Sequence, residues 1–111
     1  MLPRSQRLSV KQFNFVMEKG RAHHSSLFML RSASVEDKVR VSATVPNRIA
    51  KKAVLRNRMR RKMYEAIRLI ISKIKDGQHT IIFAKSAATT ATQEQLDKEM
   101  VDIFVKAGLL R

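Results

Sequence analysis

Residues 51–70, KKAVLRNRMRRKMYEAIRLI, decide the fold because they combine an apolar stripe with a dense run of positive charge. At the helical spacing of about 100° per residue, the apolar side chains of this stretch and the next turn share one face. These side chains are Leu55, Met59, Met63, Ala66, Ile67, Ile70 and Ile74. On the rest of the surface, RNRMRR places four arginines in six positions, where like charges repel one another. The pattern predicts a helix over about 49–75, ended by Gly77, with one face on a sheet and the other towards a negatively charged partner.

The positive charge of the chain is concentrated around this helix. The formal net charge is +14, and residues 38–75 alone hold thirteen Lys or Arg against one acid, which gives +12. Residues 1–37 carry six bases and three acids, whereas residues 76–111 carry four bases and five acids. A surface made for solubility mixes its signs. The central block therefore predicts a binding surface for a polyanion, either nucleic acid or an anionic membrane.

Composition also excludes several classes of protein. Cysteine is absent, which excludes disulfides, thiolate metal sites and a thiol nucleophile and fits a reducing cytosol. No apolar run approaches the roughly 18 residues of a membrane span, and MLPRSQRLSV at the start lacks the apolar centre of a signal peptide. We expect a cytoplasmic protein of one domain over 1–111, with residues 1–7 as a flexible basic arm.

The remaining elements follow from capping signals and periodicity. Ser9 with Gln12, and Thr92 with Gln95, have the spacing of capping boxes, which predicts helices over about 9–19 and 93–107. Residues 26–35, 38–45 and 79–85 have the patterns of strands, and 21–23 could add an edge strand. In the first helix, Val10, Phe13, Val16 and Met17 share a face, which is more typical of core than of a base-stacking platform. The prediction is an α+β two-layer sandwich in the order α-β-β(-β)-α-β-α, with a small mixed sheet and a long central helix.

The arginine run has two readings, a solvated helix face and a nucleic-acid surface. The arginines spread over more than half of the helix circumference and have almost no acidic partners. Arginine also outnumbers lysine in the run, which favours bidentate phosphate contacts. Just before it, VPNRIAKKA (45–53) brings Arg48, Lys51 and Lys52 to the helix N-terminus, where a bound phosphate would offset their conflict with the helix dipole. We therefore favour nucleic acid.

The sequence offers little for metal binding or catalysis. His23 and His24 are adjacent and would point to opposite faces of a strand, while His79 is remote. Glu36 and Asp37 are more typical of a polar turn than of a metal site. The nine acids are scattered, and a nuclease needs carboxylates clustered around magnesium. We expect no catalytic residue, no metal site and no cofactor bound by the protein itself.

The motif KKAVLRNRMRRKMYEAIR (51–68) resembles the signature of the protein subunit of bacterial ribonuclease P. The resembling features are an RNR core, a basic pair after one apolar residue, and a Glu-Ala step further along the helix. RLSVKQFNFVMEKG, LFMLRSAS, KVRVSATVP and HTIIFAK are similar to the first helix and the strands of that family, so the resemblance covers nearly the whole chain.

The resemblance implies that an RNA subunit, using magnesium ions, cleaves precursor tRNA, and that the small protein assists it. It implies contacts with the catalytic RNA through Arg56, Asn57, Arg58, Arg60 and Arg61, to which we add the neighbouring cations Arg48, Lys51, Lys52 and Arg68. A cleft for the single-stranded 5′ leader would be lined by Phe13, Met17, Arg31 and Arg40. The resemblance further implies a left-handed strand–helix–strand crossover, which is against the general rule, and partnership with ribonuclease P RNA and precursor tRNA, with no membrane and no protein partner required.

Other readings of the sequence stay open. The main alternative is another RNA-structural protein, such as a ribosomal component, without a role in tRNA processing. A DNA-binding regulator would fit the charge, although the chain shows no short helix-turn-helix pattern. A nuclease acting without RNA is a third alternative. A membrane-active basic helix fits worst, because the apolar stripe is needed for the sheet.

Overall fold

The computed structural model describes residues 2–111 and contains three helices and one four-stranded sheet. In chain order the elements are α1 (Val10–Lys19), β1 (Arg21–His24), β2 (Phe28–Ser34), β3 (Arg40–Thr44), α2 (Ala53–Arg68), β4 (Gln78–Ala84) and α3 (Gln93–Lys106). Short 3-10 turns lie at Arg4–Gln6, Ile71–Lys73 and Ser86–Thr90. The predicted α+β class and order of elements are confirmed, including the edge strand β1.

The sheet is mixed and has the spatial order β1-β2-β4-β3. β2 pairs antiparallel with both β1 and β4. β3 and β4 are joined through α2 and pair parallel with each other. β4 is therefore interior, as its nearly continuous apolar sequence predicts. The left-handed sense of the β3-α2-β4 crossover stays a prediction of the family resemblance.

Helices α2 and α3 cover one face of the sheet and enclose the main core. Alternation along the strands directs Phe28, Leu30, Ile82 and Ala84 towards these helices. Met63, Ile67, Leu96, Met100, Ile103 and Phe104 meet them from the helices, each fully buried. The apolar stripe predicted for the long helix is confirmed except at Leu55, which is 43% exposed.

Helix α1 lies on the opposite face of the sheet. Arg31 alternates with the core-facing Leu30, and its Nη2 donates to the carbonyl oxygens of Met17 and Gly20 at the end of α1, both at 2.9 Å. Val16 is fully buried on this face, but the predicted stripe fails at its ends, since Val10 is 79% and Met17 41% exposed. The predicted stripe is wrong at these two positions, because α1 rests on the sheet at Val16, which is the one buried residue among the described residues of this helix.

Helix α2 begins later than its pattern predicts. Pro46 opens a turn in which its carbonyl accepts from the N–H groups of Ile49 and Ala50, and the helix starts only after Lys52. The side chain of Arg56 reaches back and donates to the carbonyls of Ala50 and Lys51 at 3.0 and 2.7 Å. The predicted start near residue 49 is wrong because these carbonyls bond to a side chain rather than to helical amides.

The same helix also ends earlier, at Arg68 rather than near residue 75. Ile74 is extended and forms a bridge with Leu110, while the N–H of Lys75 donates to Leu109 and the N–H of Arg111 donates to Lys73, both at 2.8 Å. Pairing with the C-terminus thus competes with the helix, in a stretch whose branched isoleucines are weaker helix formers. Gly77 does not end α2; its φ of +75° serves the turn before β4.

The N-terminal segment lies against the edge of the sheet, and the flexibility of residues 1–7 stays a prediction. Leu2 is only 4% exposed and belongs to the core. The carbonyl of Arg7 accepts from Arg40, and the N–H of Leu8 donates to Ser42, so the segment follows β3. Met1, the first residue of the predicted arm, lies outside the described residues.

Candidate nucleic-acid interface

The arginines of α2 lie on the side of the helix that faces away from the sheet. Met59 and Met63 turn inwards and are 6% and 0% exposed. The arginines between and around them are exposed or half-buried: Arg56, Arg58, Arg60, Arg61 and Arg68. The helix therefore presents its charge to solvent because its apolar residues already occupy the face towards the sheet.

Three of these arginines bind groups of the protein itself. Arg56 holds the loop before the helix through the two carbonyls described above. Arg60 donates to the side-chain oxygen of Asn57, three residues earlier. Arg68 pairs with Glu65 at 2.8 Å, and this hydrogen bond and its charge lower the pKa of Glu65 and raise the pKa of Arg68. Their guanidinium groups are thus oriented before any ligand arrives.

The other cations of the predicted site have neither a carboxylate nor a hydrogen-bond partner for their side chains within residues 2–111. These are Arg48, Lys51, Lys52, Arg58 and Arg61, and all five are exposed. They extend from the loop before α2 along its first three turns. A set of like charges without counter-charges is costly for the protein alone and favours a polyanion. We refer to these five residues as the unpaired cation surface.

A second candidate feature is a groove of about 620 Å³ between the N-terminal segment, the start of α1 and the edge of β3. Phe13 and Arg40, two of the four predicted cleft residues, line it together. Arg4, Arg7 and Tyr64 line it as well. Among the residues that the structure describes, neither Met17 nor Arg31 lines this groove: Arg31 instead holds the end of α1, and Met17 is exposed further along that helix.

A small polar network fixes Arg40 at one end of the groove. Its Nε donates to Asp37 Oδ2 at 2.8 Å, and its Nη1 donates to the Arg7 carbonyl at 3.2 Å. The same carboxylate oxygen lies 3.0 Å from Nε2 of His79, whose side chain is 4% exposed. The hydrogen bond from Arg40, helped by the Lys38 amide and His79, lowers the pKa of Asp37 to about 2. The carboxylate is therefore ionised near neutral pH and holds Arg40 against the N-terminal segment.

Sequence reasoning missed Tyr64, Arg4 and Arg7 as residues of this groove. Tyr64 is 6% exposed, and its hydroxyl accepts a hydrogen bond of 3.0 Å from the Ala43 amide at the free edge of β3. A hydroxyl that accepts one bond still has a proton to donate. The burial of Tyr64 could have been predicted from its position next to Met63, which belongs to the apolar stripe of the helix. The signal for the two arginines was the charge of a segment predicted to be loosely held.

The described residues carry no cluster of three or more His, Asp or Glu that could hold a metal ion. Within the same part of the chain, no helix is both long and apolar enough to span a membrane. The unpaired cation surface offers exposed guanidinium and ammonium groups of the kind that contact phosphates, and Phe13 and Tyr64 line the groove.

An α+β sandwich with an exposed arginine helix and an unpaired cation surface defines a class of small basic proteins suited to a polyanionic partner. Within that class, the chain belongs to the Ribonuclease P protein family, whose model matches residues 2–108. A Ribonuclease P protein component of Xanthomonas campestris pv. campestris is 31% identical over 97% of this chain and 73% of the relative. That of Rippkaea orientalis is 28% identical over 98% of this chain and 91% of the relative.

Solved structures agree with this assignment at the level of the fold. The RNase P protein from Staphylococcus aureus superposes with a TM-score of 0.83 at 21% identity, covering 96% of this chain and 98% of that one. The RNase P protein from Thermotoga maritima gives a TM-score of 0.79 at 16% identity, covering 90% of this chain and 96% of that one. The overall fold of this chain is thus that of these RNase P proteins.

Proposed function

We propose that this protein is the protein subunit of a ribonuclease P, which binds the catalytic RNA and the 5′ leader of precursor tRNA. In this proposal the RNA subunit, with its magnesium ions, cleaves the precursor and leaves the mature 5′ end of the tRNA. Family membership supports the assignment, and the observation that carries the binding role is the unpaired cation surface on α2 and its preceding loop. The protein needs no cofactor and no protein partner for this role.

The cations of the site have two different tasks in this proposal. Arg48, Lys51, Lys52, Arg58 and Arg61 contact phosphates of the catalytic RNA, because their side chains have no internal partner among the described residues. Arg56 acts mainly by positioning, since it fixes the loop that carries Lys51. The flank of the same surface is formed by residues that make side-chain hydrogen bonds within α2. Arg60 donates to Asn57, and Arg68 donates to Glu65.

The groove beside β3 is the proposed place for the leader. The groove has a volume of about 620 Å³ and is bounded by the N-terminal segment, the start of α1 and the edge of β3, and in this proposal it holds a single strand. Phe13 offers an apolar contact to a base, and Tyr64 offers a hydroxyl. Arg40 supplies positive charge at one end, although Asp37 neutralises part of it. Arg31 and Met17 support the wall formed by α1 rather than the groove itself.

The protein has no catalytic role in this proposal. Within residues 2–111, no group of three or more His, Asp or Glu could hold a metal ion, and Glu65 is paired with Arg68. Hydrolysis of a phosphodiester by metal ions needs carboxylate or phosphate oxygens around the metal. Phosphates of the RNA subunit would supply those oxygens.

The salt dependence of RNA binding tests the binding role. With roughly six to ten phosphate contacts, the affinity for a ribonuclease P RNA should fall about a thousandfold or more between 50 and 200 mM salt. The affinity should be measured by titrating labelled RNA with protein at several salt concentrations. An affinity that stays constant over this range would contradict the proposal.

A further inference from the structure

A cleft of about 530 Å³ lies beside the unpaired cation surface, between the loop before α2, the first turns of α2 and the turn Ser86–Thr90. Its lining falls into two chemical groups. The uncharged residues are Ile49, Ala50, Leu55, Met59 and Thr89, and the charged residues are Lys51, Lys52, Arg58 and Lys62. Among the described residues, no carboxylate lines the cleft.

The apolar part of the cleft is unusual for its place in the chain. Leu55 is 43% exposed in the most basic stretch of the sequence, although its position on the helical stripe predicts burial. Met59 below it is 6% exposed and gives the floor a polarizable thioether. An apolar floor within a ring of four cations complements a ligand that has a flat, weakly polar body and an anionic end.

Among the described residues that line this cleft, Lys62 is the one cation that does not belong to the unpaired cation surface, and it was not among the predicted site residues. Its backbone carbonyl accepts from Gln93 Nε2 at 2.9 Å, which ties this turn of α2 to the start of α3. Its side chain is half-buried and has no bonded partner among the described residues. With Arg58 one turn earlier, it places two charges on the same side of the helix.

We propose that this cleft binds one unstacked nucleotide of the partner RNA, with the base on Leu55 and Met59 and the adjoining phosphates on Lys51, Lys52, Arg58 and Lys62. The inference rests on the proposed function, because it names what the RNA inserts beside α2. Its volume suits a single nucleotide rather than a duplex, and RNA is commonly recognised through unstacked bases in loops and bulges. The continuity of its charged rim with the unpaired cation surface favours RNA over an acidic peptide.

The first experiment compares Leu55→Asn with Val54→Asn. Both changes remove an exposed aliphatic group from the same turn of α2 without changing the charge, but Val54, which is 66% exposed, does not line the cleft. Leu55→Asn should weaken binding to a ribonuclease P RNA about tenfold at 150 mM salt, because the polar amide replaces the apolar group that covers the base. Val54→Asn should stay within about twofold of wild type, and the slope of affinity against salt should be the same for all three proteins.

The second experiment uses the wild-type protein and small probes. Methyl NMR signals of Leu55 and Met59 should shift on addition of 5′-AMP and should stay in place with ribose 5-phosphate, which has the anion without the base. Methyl signals that are unmoved by 5′-AMP, together with equal RNA affinity for the two variants, would overturn the cleft assignment while leaving salt-sensitive RNA binding intact. Equal methyl shifts with a hexaglutamate peptide would overturn the choice of a nucleotide. Loss of RNA binding by the wild type would instead contradict the proposed function.

Discussion

At the scale of the residue, the arginines of α2 are not equivalent, although composition treats them alike. Arg56 is half-buried and bonded to two backbone carbonyls, whereas Arg58 and Arg61 are exposed without a partner among the described residues. The sequence predicted that all would face a polyanion. It could not separate them, because the loop carbonyls that Arg56 holds come into place only when residues 46–52 form a turn instead of a helix.

This difference predicts opposite effects of substitution. Arg58→Ala combined with Arg61→Ala should reduce the salt slope of RNA affinity by about 2, because two phosphate contacts are lost. The melting temperature should stay that of wild type. Arg56→Ala should instead lower the free energy of unfolding by about 1.5–3 kcal/mol through the loss of charged hydrogen bonds. Titrations of RNA and thermal melting of the three proteins measure both effects, and a double variant that no longer melts cooperatively would show that Arg58 and Arg61 are structural.

A second prediction at this scale concerns the pH dependence of Asp37. Its pKa falls from 3.8 to about 2 on folding, chiefly through the hydrogen bond from Arg40, with the Lys38 amide and His79 as further partners. A carboxyl whose pKa is lowered on folding stabilises the protein above its unfolded pKa, and this stability is lost as the pH falls through the folded value. The wild type should therefore exceed Asp37→Asn in stability at pH 6, and the difference should shrink between about pH 4 and pH 2.

Denaturant unfolding of both proteins across this pH range measures the effect. Glu36→Gln is the matched control, because it removes a neighbouring exposed carboxylate that has no partner among the described residues. The control should have wild-type stability at pH 6. A difference between wild type and Asp37→Asn that stays constant down to pH 2 would contradict the role given to the Arg40 contact.

At the scale of the element, capping motifs in the sequence predicted the starts of two helices correctly, because a helix cap depends on residues that are close in the chain. The side chains of Ser9 and Thr92 each accept from the amide three residues on, and Gln12 and Gln95 complete both capping boxes. Helices α1 and α3 therefore begin where the sequence indicates. The predicted start of α2 was wrong because Arg56 binds the carbonyls of the preceding loop. Its predicted end was wrong because Ile74 and Lys75 pair with the non-local residues Leu110 and Leu109.

The turn before β4 gives a prediction at this scale through two glycines of similar conformation. Gly77 and Gly108 have φ of +75° and +72°, so an alanine at either should cost about 1–2 kcal/mol of backbone strain. At Gly77 an added Cβ would also lie 2.7 Å from the carbonyl oxygen of Val35, whereas at Gly108 it would meet no atom within 4 Å. Gly77→Ala should thus be clearly the more destabilising in urea unfolding. Equal losses would mean that the contact with Val35 relaxes freely.

At the scale of the whole molecule, the apolar residues of α2 face the sheet and its unpaired cations face solvent. The basic block of the sequence, residues 38–75, forms β3, the loop before α2, α2 itself and the turn Ile71–Lys73. Its charge alone was enough to predict a polyanionic partner. The family resemblance supplied the identity of that partner, which no periodicity could give. Of the residues predicted to line a cleft, Phe13 and Arg40 line this groove, whereas Arg31 binds the carbonyl of Gly20 at the end of α1. The other wall of the groove is the N-terminal segment, and the sequence could not predict it because this segment packs against the edge of the sheet.

The most direct test of the central claim is the cleavage of a precursor tRNA by a bacterial ribonuclease P RNA at low magnesium. Three reactions are compared: RNA alone, RNA with this protein, and protein alone. We predict rapid release of the 5′ leader only when RNA and protein are both present. Salt-sensitive RNA binding without stimulation would assign the protein to another ribonucleoprotein, and cleavage by the protein alone would contradict the division of labour between RNA and protein.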